Sequence, residues 1–273
     1  MSIISFAHHK GGTGKTTSCL NIAGFLQKAS NRVLVVDVDP QANATAGLGI
    51  RPKSVRMSMY DVFMSVFDGS PRVEIRDVVV NTQSGVDLAP SNLELVGAEP
   101  YLYTIENRAS VLKDALALIS PSYDFILIDT PPSMGQFVIN GLVASDRTIV
   151  TFDRGVFALH GLQTLMTVFD DIEEIIGETI DAEMAVLTRW PEEKRAGLFS
   201  FLSLKGRADT EERESLRGIE SEVRRYFRHV FSVPYDREIY DAQLAGMPIS
   251  HFSPDSAAGL AYEQITKVVQ TWK

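Results

Sequence analysis

The sequence predicts an α/β fold, a doubly wound and mostly parallel sheet with helices on both faces. Three observations carry that prediction. Short apolar runs alternate with longer segments of helical spacing, the rhythm of strand–helix–strand units. Several of the runs are almost continuous Ile, Val, Leu and Phe, the pattern of strands covered on both faces. The first run leads through a glycine-rich loop directly into a helix-forming segment.

Taken in order, the predicted strands are Ile3–Ala7, Arg32–Val36, Val86–Ala89, Phe125–Ile128, Arg147–Phe152, Met184–Leu187 and Val230–Val233. The predicted helices are Lys15–Ser30, Arg108–Ile119, Gly161–Ile176, Thr210–Phe227 and Ala257–Trp272. No linker-like stretch, low-complexity segment or solenoid repeat divides the chain, so residues 1–273 are expected to form one domain. Residues 189–208 mix charges, breakers and a short apolar run, and are expected to form a loop with a small helix.

Composition narrows the function classes. The chain has 273 residues, 45% of them hydrophobic, with 26 Lys and Arg against 35 Asp and Glu, a formal net charge of −9. That apolar content excludes a disordered tail, and the single cysteine excludes a disulfide scaffold. No apolar run reaches the ~20 residues of a spanning helix. The opening Met1–Ala7 is too short for a secretory core and meets a glycine loop at once, so the expectation is a cytoplasmic protein. Net acidity argues against polyanion binding through bulk charge, so nucleic-acid contact would need a local basic surface.

The segment Lys10-Gly11-Gly12-Thr13-Gly14-Lys15-Thr16-Thr17 lies between the first strand and the first helix. Glycines there let backbone N–H groups turn inward around a polyanion, and the helix N-terminus and Lys15 add positive charge. Thr16 follows with its hydroxyl placed for Mg²⁺. The general phosphate-loop pattern asks for glycine at position 9, where this chain has His9. What matches is the variant with a lysine and two glycines ahead of Gly-Lys-Thr. Lys10 adds a second ammonium group, suited to reaching a phosphate from outside the loop.

These residues identify a resemblance to the ParA/MinD superfamily of deviant Walker A P-loop ATPases, nearest the ParA/Soj partitioning proteins. Three further stretches carry it. Val33 to Thr45, with Val36-Asp37-Val38-Asp39-Pro40-Gln41 at its centre, resembles the family's second acidic motif and switch I. Phe125-Ile126-Leu127-Ile128-Asp129-Thr130-Pro131-Pro132-Ser133 resembles its Walker B strand and switch II. Leu88-Ala89-Pro90-Ser91-Asn92-Leu93-Glu94-Leu95 resembles a family strand and turn, and Ser232–Pro248 has a family look. The likeness covers residues 1–170 well and 228–273 loosely, and lapses over 189–227.

The resemblance implies an ATP- and Mg²⁺-dependent switch with slow, partner-stimulated hydrolysis. Lys10, Lys15 and Asp39 would be catalytic, Asp39 orienting the attacking water and Lys10 stabilising the nucleotide of a partner subunit. Lys10, Gly11, Gly12, Thr13, Gly14, Lys15, Thr16 and Thr17 would hold phosphates. Pro234 and Asp236, with the strand end near Thr188–Arg189, would hold adenine. Thr16, Asp37 and Asp129 would hold Mg²⁺. Asp129 ends an apolar strand at the sheet's carboxyl edge, and Asp37 and Asp39, two apart, point to one side of an extended chain.

Residues 189–228 contain ten Lys and Arg against eight Asp and Glu, a balance of +2 against −11 for the rest. Drawn as a helix, Arg213, Arg217, Arg224 and Arg228 fall within an arc of about 60° with Arg225 just off it. Leu216, Ile219, Val223 and Phe227 make a neighbouring apolar stripe. Such a face is either solvated and laced with i,i+4 ion pairs or a stripe for phosphate backbone. By resemblance it would grip nonspecific double-stranded DNA. The implied partners are a second copy of the chain in the ATP state, that DNA, and a ParB-like or cargo-adaptor protein that stimulates hydrolysis. Nucleoid association in the cytoplasm follows.

Two alternatives use the same fold: a MinD-like ATPase of the membrane surface and a metallocofactor-maturation ATPase. The last helix has only Lys267 and Lys273 as cations, which suits packing on the sheet better than membrane binding. Residues 198–204, flanked by Lys194, Arg195, Lys205 and Arg207, form a short rival membrane segment. One cysteine, Cys19, speaks against an iron–sulfur cluster and is expected in the core. His8 and His9 point to opposite sides of an extended chain, which disfavours a shared metal. His160 receives no role.

Overall fold

The computed structural model describes residues 1–8, 10–155, 158–191 and 207–273, with side chains at all of these except 158–160 and 207–213. His9, the apolar run 198–204 and its four flanking cations therefore lie outside the description, in whole or at the side chain. The eight strands are β1 (Ser2–Ala7), β2 (Val33–Asp37), β3 (Val80–Asn81), β4 (Asp87–Ala89), β5 (Phe125–Asp129), β6 (Arg147–Phe152), β7 (Met184–Trp190) and β8 (His229–Pro234). They form one sheet in the order β3-β4-β2-β5-β1-β6-β7-β8. Every pairing is parallel except β3 with β4, an antiparallel edge of two residues. β3 is only Val80 and Asn81, too short to write a strand pattern, and for that reason the sequence does not predict it.

Alternation along each strand divides the core. Ile4 and Phe6 of β1 face one side, with Val33, Val35, Phe125, Leu127 and Ile149. There they meet the helices Lys15–Lys28 and Ala257–Val269, through Cys19, Ile22, Leu26, Ala258, Tyr262 and Ile265. The C-terminal helix thus packs on the sheet as its spacing predicts, and Trp272 closes that cluster. Ile3, Leu34, Val36, Ile126 and Ile128 face the other side and meet a set of short helices between Met59 and Ala117.

The same face continues over β6 and β7 beneath the helices Ala158–Ile176 and Arg207–Tyr226. Leu216, Ile219, Val223 and Phe227 are all buried there, so the predicted apolar stripe is the sheet-facing one. A stripe of this kind removes several large side chains from water at ~25 cal/mol per Å² of apolar area. It leaves Arg217, Arg224 and Arg225 of the same helix exposed.

The helix Gln136–Val143 is not predicted by periodicity. Seven of its eight residues are buried, Gln136 and Asn140 among them, so it has no exposed polar face to betray a 3.6-residue repeat. The helix Arg237–Leu244 is also missed, although Asp236 caps it by accepting the Glu238 N–H at 3.0 Å. Among the described residues no helix is long and apolar enough to cross a membrane.

Candidate nucleotide site

β1, β2 and β5 end side by side, and their carboxyl ends build the site. Phe6 and Asp37 both stand in register with Asp129. Immediately beyond β1 the chain turns through the glycine loop. Gly12 has φ 78° and Gly14 φ 91°, values that favour glycine. A Cβ at Gly14 would also meet the Thr188 methyl at 2.7 Å. The loop is braced from β6 and β7. The Thr188 hydroxyl donates to the Thr13 carbonyl at 2.9 Å, and the Thr13 and Thr151 hydroxyls lie 3.0 Å apart. Arg189 donates to the Gly12 carbonyl at 2.7 Å from a backbone at φ 54°, an unusual conformation for an arginine.

Lys15 opens the first helix. Its ammonium is buried and donates to the carbonyls of His8, at 3.1 Å, and Lys10, at 3.4 Å. Burial lowers its pKa, and the charges of Asp129 and Asp39 oppose the shift. Thr16 donates its hydroxyl to Asp129 Oδ2 at 2.7 Å. Asp129 Oδ1 is fully buried and has no hydrogen-bond partner. An orphaned carboxylate oxygen beside a threonine hydroxyl fits the donor set of Mg²⁺. Burial, with Asp37 alongside, raises the Asp129 pKa well above the usual carboxylate range.

Asp37 and Asp39 differ in a way the two-residue spacing does not foretell. β2 ends at Asp37, so Asp39 is not part of an extended strand. The Asp37 carboxylate turns onto its own loop, where it accepts the Asp39 N–H at 3.1 Å and the Thr45 N–H and hydroxyl at 2.8 and 2.7 Å. Burial pushes its pKa up to about 7 against those hydrogen bonds. Asp39 instead lines the open cleft and accepts the Gln41 N–H at 2.9 Å. Burial raises its pKa too, and Lys15 pulls it back. Thr45 is a site residue that the sequence pattern offers only as the end of the resembling stretch.

The cleft over these residues has a volume of about 740 Å³, the size of a nucleotide pocket. Gly11, Gly12, Gly14, Lys15, Thr16 and Thr17 form its floor, and Pro132 and Asp39 one wall. Thr188, Arg189, Pro234, Tyr235, Asp236 and Tyr240 form the far wall. The Asp236 carboxylate is engaged at both oxygens as a cap, its second oxygen accepting the Ala258 N–H at 3.0 Å. Tyr235 and Tyr240 present exposed aromatic rings to the same space.

Lys10 lies outside its own cleft and pairs with Asp153 at 3.4 Å, where Arg189 also reaches. Asp153 follows β6 directly. It carries no motif, but its place at the carboxyl end of a strand is where a site residue is expected. His8 is buried edge-on to Phe152, and its Nδ1 accepts the Lys10 N–H at 3.0 Å, so it helps build the turn.

Of the basic residues expected on the helix Arg207–Tyr226, Arg224 pairs with Glu220 at 2.6 Å and Arg225 with Glu222 at 2.7 Å. Arg228, beyond the helix, reaches Glu183 at 3.5 Å. Arg217 is exposed, and the Arg213 side chain is outside the description. Arg225 and Arg228 remain 71% and 75% exposed, so these pairs do not remove the cations from solvent.

A family described as an AAA domain, AAA_31, matches residues 1–182. The sporulation initiation inhibitor protein Soj of Bacillus subtilis strain 168 is 31% identical over 270 residues, covering 98% of this chain and 97% of that protein. The chromosome partitioning protein ParA of Caulobacter vibrioides strain NA1000 is 33% identical over 193 residues, 70% of each chain. Among solved structures, cobyrinic acid a,c-diamide synthase from Mycobacterium smegmatis, with bound ATP analogue and magnesium, superposes with a TM-score of 0.79 at 27% identity. It covers 100% of this chain and 96% of that one. The fold thus serves more than one chemistry, and the phosphate loop with its two acidic strand ends is what assigns this chain. It belongs to the ParA/MinD family of P-loop ATPases, on the ParA/Soj side of that family.

Proposed function

We propose that this chain is an ATP-driven dimerisation switch that positions DNA or a protein cargo. The observation that carries the reading is the cluster at the ends of β1, β2 and β5. Lys15 is buried under a glycine loop, Thr16 is bonded to Asp129, and Asp39 lines the open cleft. The loop and Lys15 would hold the β- and γ-phosphates of ATP. Thr16 and Asp129 would hold Mg²⁺, which neutralises developing phosphate charge when bound. Asp37 would support that shell by fixing the loop through Asp39 and Thr45. Asp39 would orient the attacking water, and burial, by raising its pKa, suits it to accept a proton. Thr188, Pro234, Tyr235 and the Asp236 turn would enclose the base.

Lys10 supports the dimeric part of the reading. It is held on Asp153 outside its own cleft, and would enter a partner's site once that ion pair opens. Two chains closed face to face would each lend an ammonium group to the other's nucleotide. The exposed arginines Arg217, Arg224, Arg225 and Arg228, with Arg213, would be doubled by that closure and would grip duplex DNA without reading sequence. A partner protein would then accelerate hydrolysis and release the DNA.

The test is DNA binding with no nucleotide, with ADP and with ATP, each at low and raised salt. The expected result is binding in ATP alone that weakens steeply with salt. Equal binding in all three states, or none in any, would overturn the DNA-linked part of the switch.

A further inference from the structure

Asp153 gathers two cations at the rim of the nucleotide cleft. Its Oδ2 lies 3.4 Å from the Lys10 ammonium and 3.5 Å from the Arg189 guanidinium. Its Oδ1 accepts the Gly155 N–H at 3.2 Å, which fixes the carboxylate on its own turn. The Asp153 side chain is 15% exposed, against 39% for Lys10 and 51% for Arg189. The acid is therefore the enclosed, fixed member, and two long side chains come to it from the solvent side.

The backbone is shaped around this contact at two places. A Cβ at Gly155 would lie 3.1 Å from Asp153 Oδ1 and 3.3 Å from the Lys10 ammonium, so a side chain there would crowd the pair. Arg189 stands where β7 gains a residue against β8, between the pairs Leu187 with Ser232 and Trp190 with Pro234. Its φ of 54° is a conformation that persists only where the surroundings hold it. From that bulge one guanidinium nitrogen spans the Gly12 carbonyl, at 2.7 Å, and Asp153.

The two cations are anchored differently. Arg189 is tied to the phosphate loop through Gly12 and stays beside Asp153 when Lys10 moves. Lys10 can then leave without stranding an enclosed carboxylate, because Arg189 still neutralises it. With Arg189 removed, Lys10 would carry that neutralisation alone and would be held more tightly. We propose that Asp153 is a positioning residue that latches Lys10 in the lone chain, and that Arg189 sets the strength of the latch by sharing the carboxylate. Two latches must open when two chains close on their nucleotides. This rests on the dimer reading for its effect on assembly.

The test uses the full chain with magnesium and saturating non-hydrolysable ATP analogue, its dimer followed by light scattering over a range of protein concentrations. Asp153→Asn keeps the bond to the Gly155 N–H and removes the charge. It should dimerise at about fivefold lower concentration than the parent, since each half-exposed pair is weak and a dimer opens two. Arg189→Gln should raise the concentration needed, and should have no such effect when Asp153→Asn is also present. A second readout needs no dimer. Labelling of Lys10 by an amine reagent without nucleotide, followed by mass spectrometry, should be about twofold or more faster in Asp153→Asn.

Lys10 labelling at the parental rate in Asp153→Asn overturns the latch, as does a dimer that forms no more readily than the parent's. An equal effect of Arg189→Gln with and without Asp153→Asn overturns the sharing, because Arg189 would then act through Gly12 alone. If the parent itself stays monomeric with the analogue, the dimer reading falls, and the labelling arm decides separately whether Asp153 holds Lys10.

Discussion

The carboxyl edge of the sheet and the outer face of the helix Arg207–Tyr226 are both charged, but they are built in opposite ways. At the sheet edge Lys15, Asp37 and Asp129 are buried, and each is fixed by short contacts from a different strand or loop. On the helix Arg224 and Arg225 are exposed and pair with acids three or four residues away. Buried charges cost several kcal/mol unless the geometry is right, so residue identity and spacing at the edge are tightly constrained. Exposed pairs are worth ~0.5 kcal/mol, so the helix tolerates many sequences with the same function. A motif is therefore readable at the edge, whereas the helix yields only a charge balance.

The largest expected effect lies at the edge. Lys15→Ala should abolish nucleotide binding, measured with a fluorescent ATP analogue, because it removes the buried ammonium group beneath the loop. Retention of parental affinity would break the assignment of the glycine loop. Asp39→Ala should leave ATP binding intact and slow turnover by about a hundredfold or more, giving an ATP dimer that persists. Turnover at the parental rate would remove Asp39 from catalysis and shift attention to Asp37.

The helix should respond more weakly and more evenly. Arg217→Ala with Arg224→Ala should lower DNA affinity and reduce the salt slope of the dimer by up to about 4, two arginines on each of two chains, with ATP turnover unchanged. An unchanged salt slope would show that these arginines are solvated-face residues only.

The smallest effect concerns stability away from both regions. His251 is half-buried, bonded to Ser250 and near Gln27, and burial with Lys28 nearby lowers its pKa. The unfolded chain then takes up its proton first. The contribution of His251 is complete above about pH 6.5 and is lost as pH falls from there through the lower folded value. His251→Gln should flatten that part of a melting-temperature profile. A profile identical to the parent's would remove the residue from the acid response.

Legibility in the sequence follows the same contrast. The runs in β1, β2 and β5 are readable as strands because every residue of those strands is buried, and burial on both faces writes a continuous pattern. β3, with two residues, and the helix Gln136–Val143, buried nearly all round, leave no such pattern. Lys15, Thr16, Asp39 and Asp129 are readable because phosphate and metal chemistry demands those residue types at fixed places. Thr45, Asp153 and Glu99 act by hydrogen bonds or ion pairs across 8 to 143 positions of chain, which no local spacing records. Arg189 is named in the sequence only as a neighbour of adenine; its bond to the Gly12 carbonyl, beside a register shift between β7 and β8, is recorded by no local spacing.

Whether ATP joins two of these chains is decided by light scattering of the protein with a non-hydrolysable ATP analogue and magnesium. The expected species is a dimer of twice the 30.2 kDa chain mass, which reverts to monomer in ADP and which the Lys10→Ala variant fails to form. A protein that stays monomeric with the analogue, or a Lys10→Ala variant that dimerises as fully as the parent, would refute the switch.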